Sequence, residues 1–274
     1  MVGACHDQKL PLRTKIELVW GHDLSTDAPL ILLFDQPLAD LRQQLQLLVD
    51  NSSDLAIEKS SDQSFLSAKV QQGSVGFDVI WSEAQPVLSG YRSVFFGTVV
   101  PEKSVLLSVN LTQDLAGGER VAPIAKALLA FGARIARQLS AKAVIWTPAK
   151  IISDPKFFAE NVENYVKGEI FPVLVTVDFD YEDDERILRS SGLAWFSGQE
   201  IQLSGGGLQG QELVRRAVRL VHDIGTNGAV VSQQRVTDLD ADKVIEITFQ
   251  SESNVLRCKI FSKTDETVRV TSVH

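Results

Sequence analysis

Cysteine, histidine and methionine are scarce in this chain of 274 residues, which holds two cysteines, four histidines and one methionine. Cys5 and Cys258 stand at opposite ends and cannot build a disulfide framework; so few cysteines in a chain this long suit a reducing compartment. Cys258 sits in an alternating apolar pattern and reads as a small core residue. The histidines, His6, His22, His222 and His274, form neither H-x-x-x-H nor H-E-x-x-H, so the helical spacing that holds a catalytic zinc is missing. His222 falls in the last turn of a predicted helix, where the macrodipole favours a partly charged imidazole. There is no Cys-x-x-Cys, no P-loop and no Gly-x-Ser-x-Gly elbow, and neither cysteine has a histidine nearby in sequence. Hydrolysis by a nucleophile–histidine pair is therefore unsupported.

Long apolar runs and blocks of positive charge are missing as well. No stretch approaches the roughly 20 apolar residues that span a bilayer. The start, Met1-Val2-Gly3-Ala4-Cys5, resembles the end of a lipoprotein cleavage site but lacks the charged and apolar regions of a signal peptide. Lysine and arginine number 27 against 35 acidic residues, a formal net charge of -8 and a pI of about 5.1. That balance argues against nucleic acid or an anionic membrane as partner, because each requires a cationic face. Arg134, Arg137, Arg215 and Arg216 have helical spacing and read as solvated helix faces. The expectation is a soluble cytoplasmic protein with no membrane or nucleic-acid partner, no cofactor and no structural metal.

What is present is an ordinary globular composition, 44% hydrophobic and 23% charged. Leu30-Ile31-Leu32-Leu33-Phe34 is a continuous apolar run of strand length. Asp35 and Pro37 follow as a cap and first turn, and Leu38, Leu41, Leu45, Leu48 and Val49 recur at helical spacing. Strands are expected at 55–58, 65–70, 75–81 and 93–100, then at 105–111. Gly117-Gly118 leads into a helix over 121–139 with Pro123 in its first turn. A strand at 143–147 precedes Ser153-Asp154-Pro155, a strong helix start, and that helix runs to Gly168. Residues 173–179 and 187–196 read as strands joined by an acidic segment, and Glu200-Ile201-Gln202-Leu203 alternates as a half-buried strand does. A helix over 212–224 ends at Gly225. Strands at 230–236, 244–249, 255–261 and 268–273 close the chain. The pattern is α+β, with mixed or antiparallel sheets and helices on one face. It divides into subdomains at 15–100 and 101–274, or packs as a single domain. The coarse strand-helix-strand order of both parts allows two units of ferredoxin-like type.

Four features could carry chemistry. Gly205-Gly206-Gly207-Leu208-Gln209-Gly210 is a literal G-x-G-x-x-G before a helix, but the strand before it alternates polar and apolar, unlike the buried parallel strand of a dinucleotide fold. What survives is anion binding by Gly206 and Gly207 at the helix N-terminus. The acidic run holding Asp178 and Asp180 puts two carboxylates on one strand face, a pattern that suits a hard cation or a solvated hairpin. Glu200, flanked by apolar strand residues, is either edge-exposed or held for a purpose. Trp146 and Trp195, with Trp81, lie in or beside predicted strands, and Trp20 near the N-terminus; they serve as core or as a ligand or partner surface.

From Ser191 to Leu203 the chain resembles a bacterial domain-of-unknown-function family, numbered 4261, with its Gly-Leu, aromatic, glycine and Glu followed by alternating apolar residues. Ala143–Trp146, Asp154-Pro155-Lys156-Phe157-Phe158 and 29–37 match its strand, helix start and N-terminal turn in the same order. The resemblance covers most of 29–250 and implies no established reaction. The first functional expectation is thus a non-enzymatic protein-binding or accessory module. The alternatives are a metal-assisted hydrolase or transferase using Asp178, Asp180 and Glu200, and a small-molecule sensor with a cleft between the two halves.

Overall fold

The computed structural model describes residues 28–58, 67–72, 74–83, 88–94, 104–168, 170–205, 207–249 and 253–263. Strand β1 (Leu30–Phe34) is apolar at every position because both of its faces are covered, and all five residues are buried. It lies at the centre of an eight-stranded sheet with β2 (Leu55–Glu58), β3 (Ser67–Gln72), β4 (Val75–Ser82), β5 (Arg92–Val94), β6 (Val105–Leu111), β7 (Ala143–Trp146) and β8 (Ile151–Ser153). The order is β2-β3-β4-β6-β1-β7-β8-β5, antiparallel throughout except for β5 and β8. Helix α1 (Leu38–Asp50) follows β1, and α2 (Ala122–Gln138) carries the chain from β6 to β7. The two crossovers interleave: β6 lies between β1 and β4, and β1 between β6 and β7, a split β-α-β arrangement.

Leu30, Leu32 and Phe34 point to the side that the main core occupies, Ile31 and Leu33 to a smaller apolar cluster with Ala143, Ile145 and Ile152 on the other. Gly132 lets α2 settle directly onto β1, since a Cβ there would lie 2.1 Å from Leu30 Cδ2. The preceding residue, Phe131, stacks on Phe77 at 4.5 Å. Helix α3 (Pro155–Val166) packs on α2 and β7. Asp154 caps it, accepting from the Lys156 and Phe157 amides at 2.9 and 3.0 Å, a cap of the kind worth about 1 kcal/mol.

The second sheet contains β9 (Asp178–Glu182), β10 (Ile187–Ser191), β11 (Glu200–Gly205), β12 (Gln234–Thr237), β13 (Lys243–Thr248) and β14 (Val255–Ser262), in the order β12-β13-β14-β11-β10-β9. It is two antiparallel three-stranded meanders joined by the parallel pair β11–β14, so it does not repeat the interleaved order of the first sheet. Ile201, Leu203, Leu256, Cys258 and Ile260 are buried while Arg257 and Lys259 are exposed, the alternation of a sheet covered on one side. Helix α6 (Gly210–Asn227) covers β10 and β11 with Leu213, Ala217, Leu220, Val221 and Ile224. One apolar core runs from Phe34 through to Ile260. The α+β reading holds. The first sheet draws strands from both sides of residue 100, and the change of sheet falls between Ser153 and Asp178.

Three expected elements differ. Residues 173–179 form a short helix, α4 (Val173–Thr176), before β9, with the Thr176 hydroxyl donating to Pro172 O at 2.8 Å. The strand expected over 187–196 stops at Ser191. Gly192, at φ +102°, turns the chain into α5 (Leu193–Ser197). Continuous apolar runs fit a buried helical turn as well as a strand, which is why spacing misleads here. Gly225 lies inside α6, which ends at Gly228 (φ +92°), and no strand forms at Val230-Val231. Strand β8 has no counterpart in the expected elements. The strand expected at 268–273, most of that at 93–100, Trp20, Cys5, His6, His22 and His274 lie outside the described residues. Among the described residues no helix is long and apolar enough to cross a membrane.

Candidate ligand cleft at the junction of the two sheets

Glu200 is half-buried at the first position of β11, and its carboxylate is committed to a structural task. Oε1 accepts from the Gly192 and Ala194 amides at 2.8 and 2.9 Å, and Oε2 accepts from the Ser190 hydroxyl. The Ser190 oxygen in turn accepts from the Ile201 amide at 2.8 Å. A carboxylate arriving from the next strand thus caps α5, whose own first turn supplies no side-chain cap. Gly192 is obligatory at the entry: besides its φ, a Cβ would lie 2.5 Å from Thr176 O and 2.6 Å from Ala149 Cβ.

The helix so held presents Trp195 and Phe196. Trp146 is fully buried on β7 and meets Trp195 edge-on at 4.9 Å and Phe196 at 5.6 Å. Phe196 continues to Phe171 at 4.9 Å, and Phe171 to Tyr165 at 5.3 Å, both edge-to-face. Such pairs add about 0.5–1.5 kcal/mol each beyond the area they bury. The two tryptophans therefore converge, as part of a five-ring wall that joins the first sheet to α3, α5 and α6. The Trp146 indole N–H is buried with no hydrogen-bond partner.

Against this wall lies a cavity of about 200 Å³. It is lined by the turn Gly118–Arg120, the first turn of α2, Tyr165, Phe196 and the end of α6 from Gly225 to Gly228. Gly225 allows the helix to lie flat on the wall, since a Cβ there would come within 2.6 Å of the Phe171 ring. Arg120 runs over Gly198, with Cζ 3.1 Å from where a Cβ would stand. Neither Glu119 nor Arg120 makes a hydrogen bond or ion pair among the described residues. Helix α2 follows Val121 with no side-chain cap and no acid in its first turn; α6 ends with no base in its last. Two uncompensated helix ends of opposite polarity thus open on one space. Tyr165 is 4% exposed, and burial raises its phenol above the ordinary tyrosine value, so it stays protonated.

The other expected sites lie elsewhere. Asp178 on edge strand β9 pairs with Arg92 and accepts from the Phe179 amide at 2.8 Å. Asp180 is exposed opposite Arg189, which is paired with Glu182 and, at 3.5 Å, Glu185. The acidic run is a hairpin matched by arginines, and among the described residues no three His, Cys, Asp or Glu side chains are grouped to hold a metal. Gly207, at φ +84° with open space where a Cβ would stand, makes the turn into α6; Gly206 lies outside the described residues. His222 sits more than a turn inside α6, and its Nδ1 accepts from the Phe171 amide at 3.2 Å.

Arg134 and Arg137 pair with Asp54 and Glu163 on the surface, but Arg216 is 3% exposed, not solvated. It donates to Asp238 at 2.8 Å and Asp240 at 2.6 Å, because the β12–β13 turn folds over α6. Burial works against its charge, and the two carboxylates outweigh that and hold its ionisation above the ordinary value. Glu119, Arg120 and Tyr165 were not singled out from the sequence. The legible signal is the absence of a Ser, Thr, Asp or Asn cap after Gly117-Gly118.

No family model, curated protein or solved structure matches the chain.

Proposed function

We propose that this chain is a non-catalytic binding protein whose cleft between the two sheets takes a small polar molecule. The observation that carries this is the cavity beside Phe196, where Glu119, Arg120 and two helix ends present unmatched polar groups against a rigid aromatic wall. A concave, part-apolar site with a few convergent polar groups at the junction of two units is where small ligands bind. At about 200 Å³ it falls below the roughly 300 Å³ where pockets for drug-sized ligands begin, which favours a metabolite of modest size. The wall is prebuilt by α5, which Glu200 holds in place, and so binding requires little reorganisation. The reading as a metal-assisted enzyme finds less support, because Asp178 is paired with Arg92, Glu200 is committed to the Gly192 and Ala194 amides, and Asp180 is exposed on the same strand as Asp178.

Thermal unfolding against a library of small polar metabolites tests the proposal. A ligand at 100 times its Kd stabilises the native state by about 2.7 kcal/mol. Thr226→Phe, which places a ring at the cavity edge, should abolish the shift. A library that stabilises nothing would retire this reading.

A groove between α2 and α3 favours a second reading, a protein-binding module. Ala130, Ala133, Val162 and Val166 line about 320 Å³, rimmed by Arg134, Arg137 and Lys167. Val166 is 46% exposed, and Ile170 and Leu174 beyond the groove are 60% and 48% exposed. A pull-down at physiological salt with wild type, Val166→Asp and Ile170→Asp in parallel tests it. A partner lost by both variants supports this surface, and equal capture by all three removes it.

A further inference from the structure

The cleft's polarity says which small molecule it fits. Its positive end is the start of α2. Pro123 has no N–H, Ile124 and Ala125 donate to Val121 O, and the Ala122 amide is the first of a helix with no side-chain cap and no first-turn acid. The Arg120 guanidinium stands beside it, seated on Gly198. The negative end is the close of α6. Gly228 N–H takes up Ile224 O, and the carbonyls of Gly225, Thr226 and Asn227 remain at a C-terminus that no lysine, arginine or histidine offsets. Glu119 adds a carboxylate. Between them lies Tyr165, 4% exposed, whose hydroxyl makes no hydrogen bond among the described residues.

The formal charges of the two ionised residues that line the cavity, Glu119 and Arg120, cancel, as do the two helix ends; Lys126, whose Nζ lies 4.6 Å from the Tyr165 ring centroid, is not part of the lining. A lone anion would gain at one end and be repelled at the other, and a lone cation likewise. Resting on the reading of this space as a ligand cleft, we infer that it binds a small zwitterion, of the class of a free α-amino acid. The carboxylate lies on Arg120 and the Ala122 amide, and the ammonium lies on Glu119 and the last carbonyls of α6. Tyr165 supplies one further hydrogen bond, and the ligand's apolar part rests on Phe196. The cavity's size admits one such molecule and no peptide.

The test is calorimetry and thermal shift of the full chain with the twenty free L-amino acids, followed by the Nα-acetyl and carboxamide derivatives of the best stabiliser. The expected result is saturable binding of at least one free amino acid. Removing either ligand charge, or substituting Arg120→Gln or Glu119→Gln, should weaken it by about tenfold or more, as loss of a charge-assisted hydrogen bond does. Both substitutions are on a surface turn and should leave unliganded melting unchanged; Tyr165→Phe gives a conservative third variant with a smaller loss. Equal binding of the acetylated or amidated form would overturn the zwitterion assignment and leave the cleft reading standing. Binding by no amino acid, with a hit from the metabolite library that Thr226→Phe removes, does the same. No binding by either collection overturns both.

Discussion

Arg216 donates from Nε to the Asp238 carboxylate at 2.8 Å, and the two side chains are 4% and 0% exposed. The pair pins the β12–β13 turn onto α6. Arg216 also reaches Glu212 O at 3.1 Å and Asp240 at 2.6 Å, and Lys243 meets the same Asp240 oxygen at 2.8 Å. Asp238 Oδ1 has no partner, so the carboxylate is tolerated only because the guanidinium faces it. Removing Arg216 leaves Asp238 as an uncompensated buried charge, for which about 3–5 kcal/mol is usual, whereas without Asp238 the guanidinium keeps Asp240. Arg216→Met should lower stability on that scale in urea unfolding, and Asp238→Asn by less. Replacing both with apolar residues should cost less than the two single losses together, and full additivity would show that the charges do not interact.

Glu200 should behave as a cap rather than as a reactive carboxylate. Glu200→Ala removes the acceptor for the Gly192 and Ala194 amides and is expected to cost about 1–2 kcal/mol, within the range for lost N-caps. Glu200→Gln keeps an acceptor oxygen and should lose less. Because α5 carries Trp195 against Trp146, the alanine variant should also change the native tryptophan emission. An unchanged spectrum and stability would mean that the strand, not the cap, holds α5.

Much of this was readable before the fold was known, and the failures have physical causes. Leu30–Phe34 announced a strand buried on both faces, and Asp154-Pro155 announced a helix start, because each is a local constraint. Val173–Thr176 and Leu193–Ser197 did not, since short apolar runs carry no period, and only Gly192 at φ +102° decides where β10 ends. Arg216 looked solvated because spacing along one helix says nothing of a turn from another element that folds over it. Glu200 was recognised as unusual, but its partners lie in the preceding turn and strand. The cleft was hidden most deeply: Arg120, Tyr165, Phe196 and Thr226 come from one turn and three helices far apart in the sequence.

Asp54 links stability to pH. A hydrogen bond from Arg134, reinforced by its charge, holds the Asp54 carboxyl below the ordinary carboxylate value. A folded pKa below the unfolded one gives stability that is fully present above the unfolded value, near 3.9, and is lost as pH falls through the folded one. The aspartate is exposed, so the effect is small and screened. The gap in melting temperature between wild type and Asp54→Asn should be constant above about pH 5, shrink steadily below pH 4 and narrow in 1 M salt. A gap that persists at pH 2 would assign the loss to packing rather than charge.

Gly225 sets two effects against each other. In a helix interior alanine is favoured over glycine by about 0.8–1.0 kcal/mol, so on propensity alone Gly225→Ala would stabilise α6. The added Cβ, however, would stand 2.6 Å from two carbons of the Phe171 ring. That ring is 1% exposed and wedged between Tyr165 and Phe196, so it cannot swing aside without breaking two edge-to-face contacts. Overpacking of this kind costs typically 1–3 kcal/mol, which exceeds the propensity gain, and the net effect should be destabilising. Pairing Gly225→Ala with Phe171→Leu makes room for the methyl group. In that background the alanine should become neutral or favourable, a change of sign that a double-mutant cycle in urea resolves directly. If Gly225→Ala destabilises equally with leucine at 171, the strain lies in the α6 backbone and not against the aromatic wall.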